Sequence, residues 1–366
     1  MNEQELAWNE MKRLYERQQY EKLLSCQQES RAADSAGKNA LAYYEGHQAM
    51  FDTALAYYQG FTEEGGRYIL PPVTPPEKLP PEVASKPVIL VVTANAIEQG
   101  VLLRYLAERF GGPLPSYWID DVPYQILPLE KYTLVHTHTQ DTGDEYARRA
   151  INHAYRILPK KSIRRLFLLG ICYGVDFQRQ KIGDVVISDN VLGYRINFRD
   201  DNALGTVFEP EKIFDKHPNA KLTGKLRSYA TTYRICSKIP EEKNRHIPLY
   251  MGKFLSSDCL MSSREVKRAV VRTFSGANKK ERPQGGEMEC CGLFKSVLFE
   301  TGKFNQWLVM KGICDWGEDK NSLCPGDEAK GSRIKDAFQA HAMLNVCEAF
   351  WQLQTGGIFE TEEHHG

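Results

Sequence analysis

No stretch of this chain approaches the roughly 20 consecutive apolar residues that a membrane-spanning helix needs. The start, MNEQELAWNEMKRLYER, is polar and amphipathic, unlike a secretory signal. An excess of either charge is missing too. The 47 basic residues balance 47 acidic ones, which gives no support to nucleic acid or a membrane surface as partner. The nine cysteines are odd in number and scattered, most of them inside apolar segments such as those around Cys26, Cys236 and Cys347. They read as reduced core residues of a cytoplasmic protein, with no disulfide frame. Neither Cys290–Cys291 nor Cys314–Cys324 has zinc-ribbon spacing, so neither metal nor cofactor is expected.

What is present divides the chain. Residues 1–70 carry amphipathic helical patterns without a strand signal, and ALAYY occurs twice, at 40 and at 54. Copies separated by four helical turns share a face, which suits a helical cap or an oligomerisation arm. A proline-rich stretch within 71–85, PPVTPPEKLPPE, reads as a semi-rigid linker. From 86 to 355 strands alternate with helices. PVILVVT, RLFLLG and QWLVMKGIC are continuous apolar runs, as strands covered on both faces require. Helices are expected over 101–110, 145–158, 262–273, 287–301 and 332–354. This order predicts one α/β domain around a mixed central sheet, followed by a disordered tail over 356–366.

Open α/β sheets bind ligands beyond the carboxyl ends of their strands. Here those ends offer Glu98 in TANAIE, the glycine turn GICYG and Asp315 in KGICDWGEDK. Two further acids, Glu287 and Glu289, stand at a predicted helix start in GGEMECC. Taken singly, each acid has a bland reading as a helix cap or dipole partner.

In order, TANAIE, GICYGVD with KIGDVVISD, LSSDCLM, GGEMEC and KGICDWGEDK resemble the purine nucleoside phosphorylase superfamily, and its nucleosidase branch in particular. The resemblance covers about 86–354. It implies a nucleoside-phosphorylase-like three-layer sandwich and cleavage of a purine N-glycosidic bond, most simply with adenine leaving. By resemblance, Asp315 protonates the departing purine, Glu98 holds and activates water, and Glu289 grips the ribose hydroxyls with Met288 packed on the sugar. Glu287 stands beside them, Gly170, Ile171 and Cys172 supply lining backbone, and Leu260 and Met261 flank the base. Effectors that deplete adenine nucleotides in defence carry similar domains fused to other modules.

The chemistry fits these residue types. A purine anion leaves poorly, and a positioned acid contributes roughly 10²–10⁴-fold. Departures from the family pattern are Cys314 for a serine, Ser257 for a glycine, Leu260 for an aromatic and Tyr173 for a small residue. Leu168 replaces an arginine of the phosphorylases, which favours water over phosphate as nucleophile; a phosphate-dependent phosphorylase and a non-catalytic nucleotide sensor are the alternatives. Arg179, Lys181, Arg195 and Arg199 are close in sequence and are candidates for a 5′-phosphate chain, against the bland reading of a solvated loop. Cys172 has no basic neighbour in sequence to make it a nucleophile. His136 and His138 read as satisfied core histidines. A homo-oligomer, dimer or hexamer, is expected, with the N-terminal helices as a further contact surface.

Overall fold

The computed structural model describes residues 38–63, 79–80, 82–139, 141–159, 162–201, 205–232, 234–240, 245–258, 260–275, 282–300, 304, 306–318, 323–324 and 326–359. Its ten strands form one mixed sheet. They are β1 (Val88–Thr93), β2 (Ser116–Ile119), β3 (Val122–Pro128), β4 (Thr133–His138), β5 (Ile163–Gly174), β6 (Val185–Asp201), β7 (Gly205–Lys216), β8 (Leu249–Ser256), β9 (Gly285–Glu287) and β10 (Trp307–Asp315). The helices are α1 (Gln48–Glu63), α2 (Glu82–Ser85), α3 (Ala96–Phe110), α4 (Asp144–Ile157), α5 (Ala220–Thr232), α6 (Arg264–Phe274), α7 (Cys290–Phe294), α8 (Val297–Glu300) and α9 (Glu328–Thr355). No described helix is long and apolar enough to cross a membrane.

Three parallel strands set up the site. β5 pairs with β1 on one edge and with β10 on the other, so their carboxyl ends emerge together. All six residues of β1 are buried, as its unbroken apolar run demands. β1 stops at Thr93 while β5 continues. Beyond that stop β9 takes over the vacated edge, pairing with Tyr173 and Gly174. β9 then pairs with β8, β8 with β6 and β6 with β10. The sheet therefore closes a ring of five strands, a feature the apolar pattern did not announce.

Four expectations change. The helix read over 287–301 begins as strand: Gly285 and Gly286 bridge β5 and β8, and a Cβ on Gly286 would collide with the Tyr173 ring. Glu287 is thus a strand residue, and the helix that follows breaks into α7 and α8. DVVISDNV and GYRINF, two separate strand signals in the sequence, are one strand, β6, bulged near Ser188 and Gly193. Within the helical segment read over 1–70, Ala40, Tyr44, Met50, Phe51, Ala54 and Leu55 share the core of the α/β domain, and Phe51 meets Phe338 of α9. Residues 1–37, 64–78 and 360–366 lie outside the described set. The tail read as disordered from 356 is packed at least to Phe359, whose ring stacks on Phe350.

Candidate active site

Glu98 is fixed by its helix. Asn95 caps α3, its side chain accepting from the Glu98 N–H, while Glu98 reaches back to the Asn95 N–H in a capping box. Its carboxylate also accepts from the Ala94 N–H at 2.6 Å and the Ile171 N–H at 2.8 Å. The carboxylate lies over Gly170, where a Cβ would collide with it. Glu98 thus caps the helix and is also buried at the strand ends.

The register of β10 on β5 places Lys311 opposite Gly170. Lys311 is 0 % exposed, and its Nζ donates to Glu289 Oε2 at 2.9 Å. Glu289 is the residue before α7, and its own carboxylate makes no cap there. Glu287 does the capping instead, accepting from the N–H groups of Glu289 and Cys290. Three carboxylates thus converge on one buried ammonium.

Their proton affinities diverge. Burial pushes the Glu98 pKa up and Glu289 pushes it further, with Lys311 opposing. Burial raises Glu287 to about 7, helped by Glu289. For Glu289 burial is outweighed by Lys311, which holds the carboxyl below its ordinary value. Lys311 in turn is raised, because the three carboxylates outweigh its burial. One ionised pair, Glu289 with Lys311, is flanked by two acids that retain protons more readily.

Asp315 ends β10 four residues after Lys311. It is half-buried, and its Oδ1 accepts from the Gly317 N–H at 2.6 Å. Lys311, Asp315, Glu287 and Glu98 all lie close enough to the Cys172 thiol to act on it electrostatically. Burial and the surrounding carboxylates raise Cys172 well above an ordinary thiol, which leaves no nucleophile there.

Of the remaining expected residues, Ile171 already gives its N–H to Glu98, and Met288 is half-buried. Met261 is buried beside Tyr173 and Gly317. Leu260 is 59 % exposed, so the sequence-based placement of it on the base is not supported. The arginines do not assemble as their closeness in sequence suggested. Arg179 is exposed, its carbonyl accepting from Tyr250, which pairs with Val186. Arg195 lies nine residues further along an extended strand, roughly 30 Å away at about 3.3 Å per residue. It is exposed and paired with Glu211 at 2.8 Å. Lys181 is exposed too, and the side chain of Arg199 lies outside the described set.

His136 proves to be a core residue, and His138 is half-buried. His136 lies between Thr93 and Gln125 and burial lowers its pKa to about 3; His138 contacts Gln99. No group of three metal-binding side chains occurs among the described residues. Sequence reasoning missed Lys311, whose one signal was a lysine inside an otherwise apolar strand run. It also missed Trp316, whose ring covers Gly174 and meets Phe177 at 6.3 Å.

No family model matches the chain. A curated relative, a death domain-containing ATP nucleosidase of Amphimedon queenslandica, is 22 % identical over 259 residues, which is 67 % of this chain and 46 % of that protein. The chain thus spans less than half the length of that relative. Among solved structures, the 5′-methylthioadenosine/S-adenosylhomocysteine nucleosidase of Helicobacter pylori superposes with a TM-score of 0.52 at 14 % identity, covering 74 % of this chain and 98 % of its own. A Francisella philomiragia protein described as a nucleosidase of the same type gives 0.51 at 14 % identity, over 73 % and 98 %. With its mixed sheet and converging strand ends, this chain has the fold of the methylthioadenosine/S-adenosylhomocysteine nucleosidases.

Proposed function

We propose that the protein hydrolyses the N-glycosidic bond of a purine nucleoside or nucleotide, with adenine as the leaving base. The observation that carries this reading is the meeting of Glu98, Glu287 and Glu289 around Lys311, with Asp315 at the end of the same strand. An ionised Glu289, held by Lys311, accepts hydrogen bonds from the sugar hydroxyls. Its negative charge favours the positive charge that develops on the sugar ring. Glu98, whose proton affinity is raised, takes a proton from the attacking water. As the new C1′–O bond forms, the bond from C1′ to the purine breaks. Asp315 delivers a proton to the departing base.

Leu168, where a phosphorylase would place an arginine, is fully buried within β5, which supports water over phosphate as nucleophile. The ATP nucleosidase named above supports a nucleotide among the substrates. The test is release of free adenine from ATP, AMP, adenosine and methylthioadenosine, with and without inorganic phosphate. Adenine released without phosphate is the expected result. Phosphate dependence, or no base from any of the four, overturns the reading.

A further inference from the structure

A cleft lies beside the loop that follows Asp315. It encloses about 630 Å³ between the turn after β5, one face of α6 and the loop after β10. That volume falls within the range of ligand pockets, roughly 300–1,000 Å³. On α6 and its C-cap the lining residues are Arg264, Lys267, Arg268, Val271, Arg272 and Ser275. Their spacing of three and four residues puts them on one helix face. Val270 and Phe274 pack the helix on the core, and the adjoining face is cationic.

Five basic side chains line the cleft (the four of α6 and Arg282) against two acidic ones, Asp176 and Glu318, an excess of three positive charges. The two acids are already committed. Glu318 holds Arg264 and Lys267, each at 3.0 Å, and Asp176 holds Arg282 at 3.0 Å. Lys267 is buried, and burial lowers its pKa despite Glu318. Arg268 and Arg272 are exposed at the mouth. Phe177, an exposed aromatic of the turn, completes the wall with Val175 and Val271.

From this cavity, its cationic helix face and its single aromatic wall, we infer that the cleft binds phosphate groups, either those of a nucleotide or those of a free polyphosphate. Paired guanidinium groups recognise phosphate oxygens through parallel hydrogen bonds. An apolar patch with one aromatic ring suits a base stacked beside those phosphates. Lys267 also donates to the carbonyl of Trp316, the residue after Asp315. Lys267 therefore links the cleft to the segment that carries the candidate acid. The charge of the cleft stands whether or not the carboxylates turn over a nucleoside.

The test is calorimetric titration of the whole chain with inorganic triphosphate, and separately with ATP, at low ionic strength. The mouth variant Arg268→Ala/Arg272→Ala leaves the buried pairs in place. Each charge-assisted bond lost should weaken binding roughly tenfold, so the double variant is expected to bind both ligands roughly 100-fold more weakly. Phe177→Ala distinguishes the sources: weaker ATP binding with unchanged triphosphate binding marks a nucleotide as occupant, and no change in either marks a free polyphosphate. Absence of triphosphate binding to the wild type, or equal binding by the double variant, overturns the assignment.

Discussion

Replacing Lys311 with methionine tests the centre of the structure most directly. The side chain keeps its length but loses the ammonium that neutralises Glu289 and opposes the negative charge of Glu98 and Glu287. Removing one partner of a buried pair costs about 3–5 kcal/mol. Unfolding entropy of about 2.1 cal/mol/K per residue over 366 residues converts this to a Tm lower by about 4–7 °C. The loss should depend on pH. Without the ammonium, the folded-state pKa values of Glu289 and Glu98 rise far above the roughly 4.3 of an unfolded glutamate. An acid raised in this way stabilises the fold below its unfolded pKa and loses that contribution as pH climbs through the folded value. The deficit is therefore greatest near pH 8 and shrinks toward about pH 5. Melting curves of the two proteins at both pH values measure it. An equal deficit at both, or a larger one in acid, would refute the picture of one cation holding three carboxylates.

Asp315→Asn keeps the oxygen that accepts from Gly317, so Tm should move little while adenine release falls roughly 10²–10⁴-fold; normal turnover would remove Asp315 as the acid. Gly170→Ala forces a methyl group into the Glu98 carboxylate. Activity should drop at least tenfold, about 1.4 kcal/mol of transition-state stabilisation, and an active variant would detach Glu98 from the chemistry. Glu287, raised to about 7, contributes stability below about pH 4.5 that is lost as pH rises through 7. Glu287→Gln cannot titrate, so its Tm relative to wild type should improve between pH 5 and pH 8, and a flat difference would contradict the raised value.

How far the sequence disclosed the structure depended on how local each signal was. The runs VILVVT, RLFLLG and WLVMKGIC announced three central strands because burial on both faces leaves an unbroken apolar string. Glu98, Glu289 and Asp315 were legible as acids at element ends, the first with its cap residue Asn95 just upstream. β9 was not legible, since three residues carry no periodicity and its glycines resemble a turn. β7, which holds Pro210 and is defined by its long pairing to β6, was likewise unread. Lys311 hid for a different reason. Its meaning comes from Glu289 and Glu98, distant in sequence, and the partners appear only once β5 and β10 are side by side. The same non-locality undid the arginine cluster, because neighbours along an extended strand separate quickly.

The pairing of β10 with β5 also governs when the site can exist. Leu166 meets Trp307, so the parallel contact that seats Lys311 and Asp315 joins segments separated by more than a third of the chain, a closure that is slow to form. A ribosome delivers Glu98 early and these two residues late. A growing chain that stops short of β10 would hold Glu98 without Lys311 or Asp315. The candidate site is therefore assembled only once β10 has been made and has paired with β5.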